Sequence, residues 1–505
     1  MSKYFGTDGF RGAANSVLTA DHAFRIGRYL GAGWPASQFV TNANQDISSA
    51  ISLGNEDNPN PGRFLGHYYA APTPHSDEGG GFCGAKDGGR DSLPQSACRR
   101  RPKILIGKDT RRSSYMLEYA LAAGITASGG DAYLLHVTTT PSVAYITRTE
   151  GFDYGVMISA SHNVFSDNGI KLLNANGEKM DDETIAALEA YLDSDPDTIP
   201  YATGEDIGRT VDYVAGRNRY IGYLISLGRH SFKNFRIGLD CANGASFSIA
   251  PAVFNALGAK TYCINCDPDG TNINRDAGST HIESLQTLVT EKNLDLGFAF
   301  DGDADRCLCV DRNGEIITGD HILYLLATAL KKENRLDGST VVTTVMSNLG
   351  LYKALQKAGI SYTQTAVGDR FVWQEMAEKG YALGGEQSGH IILSRYATTG
   401  DGILTALQVM EAIIESKEDL TTLLKPLKIY PQHLVNVKVA DKSVINAPAV
   451  QKALKEAETA LACNGRVLLR PSGTEPVVRV MAEAKTEEEC KKWTEAIAKQ
   501  LSVDS

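Results

Sequence analysis

Leu294-Asp-Leu-Gly-Phe-Ala-Phe-Asp-Gly-Asp-Ala-Asp-Arg306 runs an apolar stretch of strand length straight into three carboxylates at alternate positions. Parallel sheets hold their ligands at the C-terminal ends of their strands, so a strand that stops on such a loop points to an α/β architecture with its chemistry at the strand ends. The same arrangement recurs on either side. An apolar strand at 154–159 leads into Ser159-Ala-Ser-His-Asn163, and one at 381–385 leads into Gly384-Gly-Glu-Gln-Ser-Gly-His390. Further strands are expected at 103–106 and 132–136, at 236–241 and 260–265, and at 340–345 and 362–365, with helical patterns between them. That alternation is the signature of βαβ units and predicts three similar α/β domains in series, with parallel or mixed sheets.

The C-terminal part differs. A strand at 435–439, a helix at 448–461 with Pro448 in its first turn, a strand at 477–482 and a last helix predict a small α+β domain. Cys490, Trp493, Ile497 and Leu501 fall on one face of that last helix and read as core. One segment fits no element: from 33 to 101 the chain is rich in Gly, Asn, Ser, Pro and Asp with weak periodicity, and it reads as a surface insertion or a docking loop.

Composition narrows the function classes. With 50 Lys and Arg against 60 Asp and Glu, the net charge of −10 argues against nucleic acid or an anionic membrane as the main partner. No run approaches the roughly 18 apolar residues of a membrane span, and the apolar helix expected at 321–330 reads as buried. The N-terminal sequence lacks the basic and apolar regions of a secretory signal, so a cytoplasmic protein is expected. The nine dispersed cysteines read as free thiols; Cys263 and Cys266 form a lone C-x-x-C without a second pair.

Four loops carry chemistry. Ser161, presented at a strand end, has a hydroxyl that can accept and return a phosphoryl group, splitting one transfer into two in-line steps. Asp301, Asp303 and Asp305 can converge on one hard divalent cation. An EF-hand is ruled against by Arg306 and Arg312 where its sixth and twelfth positions need Gly and Glu. Glu386 and Ser388 offer hydrogen-bonding groups suited to sugar hydroxyls or an amino group. Arg470-Pro-Ser-Gly-Thr-Glu-Pro476, with Arg479 beyond it, combines backbone N–H groups, hydroxyls and guanidinium in a composition suited to phosphate. Phe5-Gly-Thr-Asp-Gly-Phe-Arg-Gly12 and Gly107-Lys-Asp-Thr-Arg-Arg112 add cations in or beside turns.

In this order the motifs resemble the α-D-phosphohexomutase superfamily, and the wording of the Phe5, Ser159 and Gly384 motifs resembles its bacterial phosphoglucosamine mutase branch. The resemblance covers the chain apart from the 33–101 segment. It implies four domains around a central cleft, here 1–213, 214–316, 317–427 and 428–505. It also implies a phosphoserine enzyme with one Mg²⁺, activated by glucosamine or glucose 1,6-bisphosphate, that interconverts glucosamine 6-phosphate and glucosamine 1-phosphate for UDP-N-acetylglucosamine synthesis. By position, Ser161 matches the phosphoserine, which also contacts the metal, and Asp301, Asp303 and Asp305 match the metal ligands. Arg11 and Lys171 match cations flanking the transferring phosphoryl, Arg306 sits beside the metal loop, and His390 lies near the reacting end. Glu386 and Ser388 match sugar contacts, while Arg470, Ser472, Gly473, Thr474 and Arg479 match the site of the non-reacting phosphate. A hexosamine phosphate is then the partner, a homodimer through the first domain is implied, and the bisphosphate's reversal in the cleft calls for a hinge at 424–433.

Two departures stand out: Val164 occupies a position that is Pro in many members, and the 33–101 segment would emerge on the first domain. A sister mutase acting on glucose or mannose phosphates shares every catalytic residue. From other classes, an aspartyl-nucleophile phosphatase leaves Ser161 and the Arg470 loop without roles, and a non-catalytic sugar-phosphate sensor needs neither Ser161 nor the three Asp.

Overall fold

The computed structural model describes residues 3–6, 8–33, 100–195, 197–471 and 477–503. The chain divides into two units, Met1–Ala32 with Pro102–Ser505, and Gly33–Arg101. The second unit, and with it the expected insertion, lies almost wholly outside the described residues.

Among the described residues the larger unit contains four sheets. The first has seven strands in the order Phe5–Gly6, Gly9–Ala13, Asp167–Leu173, Tyr154–Ile158, Lys103–Lys108, Asp131–Val137 and Thr210–Asp212. Its last four run parallel. Alternation along these strands buries both faces. Leu105, Leu135 and Met157 enter a core that continues through the second and third sheets. Ile104, Ile106, Leu134, Val156 and Ile158 pack on the opposite face with residues of helices Ala20–Gly31, Arg112–Ala127 and Asp182–Leu192.

The second sheet has the order Ile316–Ile317, Cys307–Asp311, Leu296–Phe300, Arg236–Asp240 and Lys260–Ile264; the third has Ser361–Thr365, Thr340–Thr344, Leu383–Gly385 and Ile391–Leu393. Phe298 and Phe300 are wholly buried in the shared core and contribute about 2–3 kcal/mol each through apolar burial. Helix Gly319–Lys332, expected from the apolar run at 321–330, buries Ile322, Leu323, Leu325 and Leu326 there. The fourth sheet is antiparallel, Gln432–Lys438, Val477–Glu483 and Arg466–Pro471, covered by helices Pro448–Leu461 and Glu487–Val503. Cys490, Ile497 and Leu501 are buried against it and Trp493 packs alongside, as the one-face stripe requires.

Each sheet carries one of the chemical loops, and each loop joins two neighbouring antiparallel strands. Tyr154–Ile158 returns as Asp167–Leu173, Leu296–Phe300 as Cys307–Asp311, and Leu383–Gly385 as Ile391–Leu393. Arg466–Pro471 returns as Val477–Glu483. The sequence reading expected helical crossovers and overlooked the first three of these return strands; in the last domain it expected the strand at 477–482 and overlooked its partner, Arg466–Pro471. The first three are short and follow polar loops, so no turn dipeptide of the tight two-residue kind marks them.

Candidate active site

Ser161 is fully buried with a backbone φ of +52°, a left-handed conformation that β-substituted residues rarely adopt. Its surroundings hold it there. The Asn274 Nδ2 amide donates to the carbonyls of Ser161 and Asn163 at 2.8 and 2.9 Å, and Arg111 Nη2 donates to the same two carbonyls at 3.0 and 2.9 Å. Arg111 is in turn fixed by buried Asp109, whose carboxylate accepts from Arg111 Nε at 2.7 Å and from the Ser159 hydroxyl at 2.8 Å. The Ser159 hydroxyl then accepts from Ser161 N–H at 2.9 Å. Gly302 allows the metal-type loop to approach: a Cβ there would lie 2.5 Å from the Ser161 carbonyl oxygen.

The Ser161 hydroxyl donates to Asp301 Oδ2 at 2.5 Å, which places the serine directly on the carboxylate triad. Asp301, Asp303 and Asp305 are all buried, with one oxygen of each within 4.8 Å of the others. Asp303 Oδ2 accepts from the Thr140 hydroxyl at 2.5 Å and from Lys171 Nζ at 2.7 Å, and Asp305 Oδ2 accepts from Lys171 Nζ at 2.9 Å. Asp303 Oδ1 and Asp305 Oδ1 remain buried without a hydrogen-bond partner. Two orphaned carboxylate oxygens beside a third carboxylate fit a hard divalent cation, which is the donor set such ions take.

Charge in the site follows from burial and neighbours. Burial, then Asp305 and Asp303, push the Asp301 carboxyl well above the usual range. Burial acts the same way on Asp305, but Lys171, with Arg306, outweighs it and holds that carboxyl well below. Burial disfavours the Lys171 ammonium, yet Asp303, Asp305 and Asp8 overcome it and raise its pKa well above the ordinary value. His162, 3.4 Å from Arg306 Nη1, is pushed down to about 4 by burial and then by Arg306 and Arg11, and is neutral.

His390 is subject to opposing demands. Burial disfavours its cation, while Asp305, 3.7 Å from Nδ1, and Asp369, 3.5 Å from Nε2, draw it up to about 9. Gly400 N–H donates to Nε2 at 2.9 Å, a contact only an unprotonated nitrogen can accept. The hydrogen bond is the closer interaction and fixes a neutral ring with its proton on Nδ1.

The structure therefore gathers Ser161, Asp301, Asp303, Asp305, Lys171, Arg306 and His390 into one cluster. Arg11 joins through Asp8, with which it pairs, and Asp8 Oδ1 lies 4.0 Å from Lys171 Nζ. Glu386 Oε1 accepts from Gly368 N–H at 3.1 Å, and the Ser388 hydroxyl is buried without a partner. In the fourth sheet Arg470 stands directly opposite Arg479. Burial and then Arg479 depress the Arg470 guanidinium, while the Glu386 carboxylate acts the other way. Like charges facing across a strand pair are unfavourable unless an anion lies between them. Ser472, Gly473 and Thr474 lie outside the described residues.

Asp109, Arg111, Thr140 and Asn274 were not foreseen as site residues. The turn after strand Lys103–Lys108 signals the first two, but Asn274 is 113 residues from the serine it clamps and nothing in its own stretch marks it. The C-x-x-C thiols are both free and half-buried, and burial raises Cys263 to about 11 and shifts Cys266 in the same direction, which disfavours the thiolate. Among the described residues no helix is long and apolar enough to cross a membrane.

Family models of phosphoglucomutase/phosphomannomutase match the chain in series: alpha/beta/alpha domain I over 91–198, domain II over 218–314, domain III over 318–430 and the C-terminal domain over 434–500. The chain is 55% identical to a phosphoglucosamine mutase of Lachnospira eligens over 498 residues, covering 98% of each. It is 51% identical to one of Lachnoclostridium phytofermentans, covering 98% and 97%. Among solved structures, a phosphoglucomutase/phosphomannomutase family protein of Burkholderia thailandensis aligns with a TM-score of 0.71 at 21% identity, covering 100% of this chain and 98% of that one. The N-acetylphosphoglucosamine mutase of Aspergillus fumigatus, in complex with GlcNAc-6P and magnesium, aligns at 0.57 and 19% identity, covering 75% and 93%. Four successive domain matches and near-complete coverage at these identities, on a fold whose loops converge on a buried serine and carboxylate triad, mean that the chain belongs to the phosphoglucosamine mutase family of four-domain phosphohexomutases.

Proposed function

We propose that the enzyme interconverts glucosamine 6-phosphate and glucosamine 1-phosphate through a phosphorylated Ser161 and a bisphosphorylated sugar. The observation that carries this reading is the Ser161 hydroxyl, buried and clamped in a left-handed backbone against the Asp301, Asp303 and Asp305 triad. Relatives named phosphoglucosamine mutase at 43–55% identity support the amino sugar as substrate.

In this reading phosphorylated Ser161 gives its phosphoryl to the free hydroxyl of the bound sugar phosphate, and the dephosphorylated hydroxyl later recovers one from the sugar's other end. Asp301, Asp303 and Asp305 would hold a Mg²⁺, which when bound offsets charge on the transferring phosphoryl oxygens. Lys171, kept as an ammonium by its carboxylate partners, and Arg11 and Arg306 add fixed positive charge near the transfer. Arg470 and Arg479, with Ser472, Gly473 and Thr474, grip the phosphate that is not reacting, and Glu386, Ser388 and His390 orient the sugar. The domain limits proposed are 1–213, 214–316, 317–427 and 428–505, with 424–433 as the segment on which the last domain regrips the reversed sugar. Asn348 anchors that segment, donating to the Tyr430 carbonyl at 3.0 Å and accepting from Tyr430 N–H at 2.9 Å. A reducing, cytoplasmic setting agrees with seven free cysteines among the described residues.

Incubation with glucose 1,6-bisphosphate followed by intact-mass measurement tests the nucleophile. The wild type is expected to gain the mass of one phosphoryl group and Ser161→Ala to gain none. Equal labelling of both would remove Ser161 from the reaction.

A further inference from the structure

Lys179 and Asp369 have no place in the phosphoryl-transfer cluster, yet they join its two sides. Lys179 lies on the first-sheet side, just beyond strand Asp167–Leu173, and its Nζ donates to Asp8 Oδ1 at 3.0 Å and to Asp369 Oδ1 at 2.6 Å. Asp8 pairs through its other oxygen with Arg11. Asp369 begins helix Asp369–Lys379, and its other oxygen stands 3.5 Å from His390 Nε2. The preceding residue, Gly368, donates its N–H to Glu386 Oε1. One turn, Gly368-Asp369-Arg370, thus touches the sugar loop through the Gly368 N–H on Glu386, sets Asp369 beside His390, and touches the first domain through Lys179.

Other contacts fix the same seam. Arg370 Nη1 donates to Asp182 Oδ1 at 2.5 Å, Trp373 Nε1 donates to Glu178 Oε1 at 3.2 Å, and the Thr398 hydroxyl donates to the Gly177 carbonyl at 2.7 Å. Lys179 is the member of this seam that reaches toward the chemistry, because one carboxylate partner, Asp8, pairs with Arg11 and the other, Asp369, belongs to the turn that donates to Glu386. A chain of buried or half-buried charges carries geometry well, since moving one member leaves the others unpaired in a poorly solvated place.

We propose that Lys179 and Asp369 are positioning residues that register the sugar-holding loop, Glu386 to His390, against the Arg11 and Ser161 side of the cleft. The inference rests on the mutase reading above, because registration matters only if a sugar held by one domain must meet a phosphoryl held by another. Neither residue touches the transferred group in this arrangement. Loss of the link lets the sugar hydroxyl drift from its line of attack while leaving its binding contacts in place, so it lowers kcat more than it raises KM.

The test is steady-state kinetics on glucosamine 6-phosphate with saturating Mg²⁺ and bisphosphate, for wild type, Lys179→Met, Asp369→Asn, the double variant and Lys179→Arg. Lys179→Met is expected to lose about tenfold in kcat with KM within about twofold, and the double variant to be no worse than the poorer single one by more than about twofold. Lys179→Arg, which can still bridge two carboxylates, is expected to recover to within about threefold of wild type. Phosphorylation of Ser161 by the bisphosphate, read by intact mass, is expected to persist in all four variants. Wild-type kcat in Lys179→Met, additive losses in the double variant, or a fall in kcat and a rise in KM that arginine does not reverse would each overturn the proposal. A wild type that fails to isomerise the sugar phosphate would instead overturn the mutase reading, and the inference with it.

Discussion

Ser161 keeps its left-handed backbone because four donated hydrogen bonds from Arg111 and Asn274 and the close approach of Gly302 leave it no other path. Strain of this kind costs on the order of 1–3 kcal/mol and persists only when its surroundings over-determine it. Gly302 is its most sensitive point. A methyl group there would meet the Ser161 carbonyl oxygen at 2.5 Å and the Asn274 amide at 2.9 Å, and both belong to the clamp itself. Gly302→Ala is expected to lower kcat by about a hundredfold while the protein stays folded, as a displacement of about 1 Å at a reacting atom does. Kinetics with a thermal melt would check it; unchanged turnover would mean that the loops can part without consequence. Ser161 and the three Asp were legible in the sequence because a polar loop after an apolar strand is a local signal. Asn274 and Thr140 were not, because their role exists only once distant segments meet.

Two paired elements show what their charges are for. Arg470 and Arg479 face each other across adjacent strands, an arrangement that suits a bound phosphate. Arg470→Met is expected to raise KM for the sugar phosphate by about ten- to a hundredfold, from the loss of charge-assisted hydrogen bonds, with little change in Tm. A lower Tm with unchanged KM would assign the pair a structural role. The second case is Asp320 at the start of helix Gly319–Lys332, whose Oδ2 accepts from Asn348 N–H at 2.8 Å while Oδ1 is buried without a hydrogen-bond partner. Burial raises its carboxyl from 3.8 to about 6, against the opposing effects of Asn348 N–H and the nearby Ser347 hydroxyl. A raised carboxyl holds its proton more tightly in the fold than in the unfolded chain. Its contribution to stability is therefore full below about pH 4 and lost as pH rises through about 6. Asp320→Asn keeps the acceptor for Asn348 and offers an amide to Ser347, so it is expected to stabilise by up to about 3 kcal/mol at pH 7.5, with the gain vanishing toward pH 4. Melts of both proteins across that range would check the sign; a gain at pH 4 as large as at pH 7.5 would contradict it. At this scale the strands of the parallel cores were legible from apolar runs, whereas returns such as Asp167–Leu173 and Ile391–Leu393 were hidden behind the polar loops that precede them.

For the whole molecule, each α/β domain contributes one hairpin loop and the last domain a pair of arginines, so the active site of the proposed mutase exists only in the assembled chain. Every described residue of the cluster lies outside 33–101. Deleting residues 35–94 is therefore expected to leave kcat within about twofold of the full chain, and a large loss would give that segment a part in turnover. The four-domain order could be anticipated because each domain repeats the same local plan of strand, loop and chemistry. The contacts across domain seams could not, since nothing in a stretch of sequence names its distant partner. The most direct measurement is kcat/KM of the Mg²⁺-loaded, bisphosphate-primed enzyme on glucosamine, glucose and mannose phosphates side by side, with Ser161→Ala as control. The account requires a preference of at least about tenfold for the amino sugar that disappears in the control. Equal or better use of glucose or mannose phosphate, or turnover surviving in Ser161→Ala, would contradict it.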